Sequence, residues 1–166
     1  LSLVSSCSRK SEQPLLCEAK EAEEQKNFPL AVEGYEEIVN RFGESPAAES
    51  SLYRAAIICN NDLHDIRKAV DEYRRFHSVF PASRNAPTAL FLTGFLFNNE
   101  LHQIDSARVA YETFLRQYPG HELAASAKFE LENLGKDPGQ FMTGRAPSTS
   151  SNDPQPQQKA NNASQE

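Results

Sequence analysis

One sentence of residues is written three times in this chain. AVEGYEEIVNRFG starts at Ala31, AVDEYRRFHSVFP at Ala69 and ARVAYETFLRQYP at Ala107, each 38 residues after the last and without an insertion. Ala31, Ala69 and Ala107 align, then Tyr35, Tyr73 and Tyr111, then Ile38, Phe76 and Phe114, then Phe42, Phe80 and Tyr118. Offsets of 0, 4, 7 and 11 put four side chains on one face of a helix. A period of this size marks stacked supersecondary units, none of which can bury its apolar face alone. The fold class that follows is all-α: a solenoid of three 38-residue helix pairs, with a helix before them.

Each unit reads as a helix A (28–42, 66–80, 104–118), a Pro- or Gly-bearing turn (FGESP, FPASR, YPGHE) and a helix B. The B helices carry small residues at Ala48, Ala86 and Ala124 and at Ser51, Ala89 and Ala127. Aromatics recur at Tyr53, Phe91 and Phe129, and aliphatics at Ile58, Leu96 and Leu134. Small columns let helices approach while large ones fill the space between. The joints NNDLHDI (60–66) and NNELHQI (98–104) repeat almost letter for letter, and their Asn residues suit the left-handed turn that ends a helix. LLCEAKEAEEQ (15–25) falls on 53–63 when shifted by 38, so it reads as the B helix of an incomplete first unit with one face in water. Asn27 then caps the next helix, with Pro29 in its first turn. In the last B helix Lys128 and Glu132 replace Leu52/Leu90 and Ala56/Gly94, the polar outer face a terminal repeat needs. Gly135 and Pro138 stop it. The domains are therefore a tether at 1–11, the repeat domain at 12–135 and a polar tail at 136–166, whose composition predicts disorder.

The net charge is −6. Residues 136–166 balance Lys136, Arg145 and Lys159 against Asp137, Asp153 and Glu166, so the acid excess lies in the part before them. That excludes a nucleic-acid backbone as the main partner, because such footprints are basic. No apolar run reaches the ~20 residues of a membrane-spanning helix. No HExxH, CxxC, Walker loop or GxSxG occurs. His64 and His102 lie one repeat apart in matching joints, too far apart to share a metal. His77 stands in an apolar column with Val39 and Leu115 and reads as a structural histidine, and His121 lies in a turn. The chain is expected to be no enzyme, with no cofactor, metal or small-molecule substrate. Cys17 and Cys59 sit on neighbouring B helices about one turn out of step, roughly 10 Å between Cα atoms and beyond disulfide reach. Two buried free thiols are expected.

Two resemblances extend this reading. LSLVSSC (1–7) resembles the end of a bacterial lipoprotein signal peptide, with Val4 at the apolar position, Ser5 and Ser6 at the small ones and Cys7 at the lipid-bearing cysteine. An initiator Met and a basic n-region do not stand before it, so the leader is read as mostly missing. The helix pairs resemble tetratricopeptide repeats, over about 12–135. The unit is four residues longer than the ~34 of the common form and lacks its Trp and Leu-Gly. The pattern A-x3-Y-x6-[FY]-P is similar to repeats of the lipoprotein of the outer-membrane β-barrel assembly machinery and of the Tol-Pal coordinator. Together these resemblances imply a scaffold for other envelope proteins or peptide segments, lipid-anchored through Cys7. Ser8 is not an acidic retention signal, which points to the outer membrane, facing the periplasm. The alternative is a soluble intracellular adaptor without the lipid.

The candidate partner surface is the wall made by the A helices, where Arg41, Arg74, Arg75 and Arg116 form a basic stripe on an acidic chain. Arginine suits carboxylate recognition, so an acidic segment or a peptide C-terminus is the guest it would take. The same columns also fit a solvated helix face with i,i+4 pairs.

Overall fold

A computed structural model describes residues 11–43 and 45–136. Cys7 and its flanking tether, Pro138 and nearly all of the 136–166 tail lie outside these residues. The described residues form seven α-helices and no strand: α1 (Glu12–Glu24), α2 (Phe28–Phe42), α3 (Pro46–Asn61), α4 (Ile66–Val79), α5 (Ala86–Asn99), α6 (Ile104–Gln117) and α7 (Ala124–Glu132). The chain is all-α, and α2, α4 and α6 are the three A helices. Each helix packs chiefly on its neighbours in sequence, as a stack of hairpins does.

The repeated columns are the core. Ala31, Ala69 and Ala107, the three tyrosines and the Ile38/Phe76/Phe114 set are all buried. Between units the B-helix aromatics repeat their contacts. Tyr53 lies 6.0 Å from Tyr73 and 4.9 Å from Phe76, and Phe91 lies 5.7 Å from Tyr111 and 6.1 Å from Phe114, centroid to centroid. Gly94 lets α5 come close to α6, since a Cβ there would stand 2.8 Å from the Tyr111 ring.

The joints work through other residues than their asparagines. Asn60, Asn61, Asn98 and Asn99 remain within their helices, and the left-handed residues are His64 and His102, both at φ 52°. One period earlier Lys26 has φ 59°. The next N–H then folds back, from Asp65 to the Cys59 carbonyl at 2.9 Å and from Gln103 to the Phe97 carbonyl at 2.7 Å. A left-handed residue at 26, 64 and 102 makes α1 a B helix in backbone as well as in pattern. Its Leu15, Ala19 and Ala22 are buried against the stack.

Three further expectations are corrected. Asn27 holds the N-cap position of α2, but its side chain makes no capping bond. Capping oxygens instead come from Ser45, which accepts from Ala48 N–H at 3.0 Å, and Asp65, which accepts from Lys68 N–H at 3.1 Å. The Ser45 hydroxyl also donates to Glu12, tying the start of α1 to α3. Cys17 is exposed whereas Cys59 is buried, and both are free. The residues in Cys17's column, Ala55 and Thr93, are buried in units that have an A helix before their B helix, and no A helix precedes α1 among the described residues. Phe129 is 55 % exposed rather than packed like Tyr53 and Phe91, because no A helix follows α7 among the described residues. Lys128 and Glu132 are exposed, the polar end face the terminal repeat requires.

Candidate functional site: the wall of the A helices

Three of the four stripe arginines are engaged by neighbouring side chains. Arg41 is bound to Glu37 at 2.7 Å and lies over the Phe42 ring at 5.2 Å. Arg75 donates to Asn40 Oδ1 at 2.8 Å, with Glu72 at 3.9 Å. Arg116 donates to Thr113 Oγ1 at 3.2 Å. Arg74 is exposed and has no hydrogen-bond or ion-pair partner among the described residues. It stands at the mouth of a cleft.

That cleft, about 320 Å³, lies where α4, α5 and α6 meet. Leu90, Phe97, Val109 and Ala110 give it apolar walls, Thr93, Ser106 and Thr113 add hydroxyls, and Arg74 and His77 are its cationic and imidazole groups. The Thr93 hydroxyl is already used on the Ala89 carbonyl at 2.9 Å. His77 joins two A helices, with Nε2 2.9 Å from Gln117 Oε1 and 3.1 Å from the Tyr118 hydroxyl. It is the structural histidine its column implied, and it also walls the cleft. Val109 is 63 % exposed, an apolar side chain presented to solvent on the wall.

The same place one unit earlier is filled. Subtracting 38 maps Arg74 to Glu36, Ser106 to Lys68 and Ala110 to Glu72. Lys68 bridges to Glu36 at 2.8 Å, and Glu72, only 8 % exposed, occupies the volume that Ala110 leaves open. One Glu72 carboxylate oxygen is buried with no hydrogen-bond partner. Burial first, and Glu36 second, push that carboxyl above the usual carboxylate range. Cys59 lines this filled site, and burial pushes its thiol up to about 11, so it stays protonated and inert.

At the first unit the wall is held by a different cluster. Glu23 of α1 accepts from the Tyr35 hydroxyl at 2.7 Å and from Arg54 Nε at 2.6 Å. The Arg54 bond is the main reason the Glu23 carboxyl lies below its usual value. His121 serves a turn, its Nδ1 accepting from Leu123 N–H at 3.1 Å. Among the described residues no group of three or more His, Cys, Asp or Glu side chains converges as metal ligands. No described helix is long and apolar enough to cross a membrane.

The Arg74 cleft is built on a stretch with a known relative. Residues 88–121 match the tetratricopeptide repeat family. The match runs from α5 through α6, so the repeat supplies most of the cleft walls, with α4 packed against them. Tetratricopeptide repeats generally mediate protein–protein binding. No curated protein matches the chain.

Sequence reasoning found Arg74 and missed what makes it different from its three fellows. The signal was in the columns: Gly34, Glu72 and Ala110 align, and the one large residue among them marks the one filled site.

Proposed function

We propose that this protein is a non-enzymatic interaction scaffold, held by a lipid on Cys7 in a bacterial outer membrane and facing the periplasm. There it supports an envelope complex concerned with assembly or maintenance. It seats an acidic partner segment on the α4–α5–α6 cleft, an apolar side chain entering between Phe97 and Val109 while a carboxylate pairs with Arg74. The observation that carries the binding half is the unpaired Arg74 guanidinium beside an open, largely apolar cleft with no carboxylate in its lining. A guanidinium free to bind two oxygens is a good carboxylate receptor, and a cleft of this size lies at the lower end of the ~300–1,000 Å³ of typical binding sites. The anchoring half rests on the LSLVSSC sequence.

The experiment is fractionation of the full-length gene product, wild type against Cys7→Ala, with the intact mass of the mature N-terminus and in-cell crosslinking. A lipid mass and membrane sedimentation that Cys7→Ala abolishes support the anchor. Two soluble, unmodified forms overturn it. If Arg74→Glu with Arg75→Glu leaves recovery of the crosslinked partner unchanged, the binding half fails.

A further inference from the structure

Among the described residues the stack begins with half a unit, and the half-unit leaves a seat. Shifting the α4–α5–α6 cleft back by 76 residues maps Phe97 to Glu21, Ser106 to Leu30, Val109 to Glu33, Ala110 to Gly34 and Thr113 to Glu37. Those five residues line a second cleft, of about 420 Å³, between α1 and α2. Five of the seven residues that α5 and α6 give to the cleft beside α4 therefore have counterparts in the cleft on α1 and α2, while Leu90 and Thr93 map to Pro14 and Cys17, which do not line it. There the position of α4 is taken by no described residue. The floor is apolar, from Leu15, Ala19, Ala22 and Leu30, and Leu30 is left 52 % exposed. Glu18, Glu21, Glu33 and Glu37 surround it, and no Lys or Arg is in the lining.

We propose that the α1–α2 face is a docking site for a basic amphipathic helix of a partner protein, which takes the place of an A helix and completes the first unit. The shape argument is internal: on α5 and α6 the equivalent residues are bordered by a helix of this same molecule, α4, which adds Arg74 and His77 to the cleft. The charge argument selects the occupant. A helix about fourteen residues long, as α4 is, would lay small and aromatic side chains at A-helix spacing on the floor and direct Lys or Arg to the glutamates. Attraction of this kind chiefly sets on-rate and partner choice, and it weakens with salt. The site is separate from the Arg74 cleft and does not depend on it.

The test uses α4 as the probe. A fluorescent synthetic peptide of residues 66–80, which carries Arg67, Lys68, Arg74 and Arg75 against Asp71 and Glu72, is titrated with the full chain by anisotropy. A second peptide has all four basic residues changed to Glu. The first should bind, more tightly in low salt, and the second should not. Leu30→Glu and Glu33→Lys change exposed side chains, so both variants should melt like the wild type. Each should weaken binding about tenfold or more, the loss expected from ~1.4 kcal/mol or above. Arg74→Glu should leave it unchanged. Equal binding of both peptides, binding that survives Leu30→Glu and Glu33→Lys, or no binding at all overturns the proposal. So does sedimentation showing dimers that Leu30→Glu dissociates, because a second copy then fills the seat. A gene product with its native start that no longer binds the peptide overturns it too, since upstream residues are then the occupant.

Discussion

Glu72→Met tests the reading of the filled site most directly. Methionine keeps the unbranched stem and approximate volume of glutamate, so packing between α2 and α4 is retained while the carboxylate goes. A buried polar oxygen without a hydrogen bond costs about 1–3 kcal/mol. Against this stands the Arg75 contact at 3.9 Å, a loose pair with a half-exposed guanidinium that is worth at most ~1 kcal/mol. Repulsion from Glu36 is relieved as well. The expected result at pH 7 is a gain of about 1–2 kcal/mol, read as a rise in the urea midpoint at unchanged slope. The pH dependence has a definite sign. The folded-state pKa of Glu72 is raised above the ordinary glutamate value of 4.5, so its favourable contribution is full below that value and is lost as pH rises through the folded pKa. The advantage of Glu72→Met should therefore be small near pH 4 and grow toward neutrality. A loss of stability at pH 7, or a gain of equal size at both pH values, would refute the claim that this carboxylate is buried without compensation.

Four other outcomes follow from the same packing. Glu23→Gln should cost on the order of 1 kcal/mol at pH 7, a figure already discounted because the Arg54 side chain is 48 % exposed. That cost should vanish in acid, because a depressed carboxylate pKa contributes stability above about 4.5 that is lost as pH falls through the folded value; urea midpoints at pH 7 and pH 3 check it. Gly94→Ala should destabilise by roughly 1–3 kcal/mol, because the new methyl meets the buried Tyr111 ring, and calorimetry would show it. His102→Gly should stabilise the fold by about 0.5–1 kcal/mol, read as a rise in the urea midpoint, by removing the side-chain cost of a left-handed residue. In a Cys7→Ser background, maleimide should label Cys17 in the folded protein and Cys59 only after denaturation.

The columns at 31, 69 and 107 made the helix pairs, their order and their buried faces legible, because a 38-residue period admits one periodic packing and each column repeats its environment. What the columns could not carry was anything decided by a missing neighbour. Cys17 and Phe129 belong to buried or packed columns, and both are exposed at the ends of the stack, where the covering helix is lacking among the described residues. The left-handed joints were placed correctly but given to asparagine. Local preference favours Asn, whereas the position in the turn falls on Lys26, His64 and His102. In the stripe, sequence showed four arginines, and hydrogen bonding separated three engaged ones from Arg74.

A repeat protein gains a specific site where its units stop being alike. Beside each A helix lies one recurring location, with three contents: glutamates around an apolar floor at Gly34, a buried carboxylate at Glu72, and an open cleft beside Arg74 at Ala110. The middle and last sites share their backbone, so between those two the differences are side-chain volume and charge, whereas the first also lacks a preceding A helix among the described residues. If the middle site is inert only because Glu72 fills it, then Glu72→Ala with Glu36→Arg should open a second cleft with an arginine at its mouth. A carboxylate-bearing probe peptide that binds the Arg74 cleft should then bind at two sites, counted by calorimetry. One site, with the double variant still folded, would mean that the cleft depends on Phe97 and Val109, where the middle site has Cys59 and Asp71, rather than on the volume at the alanine column.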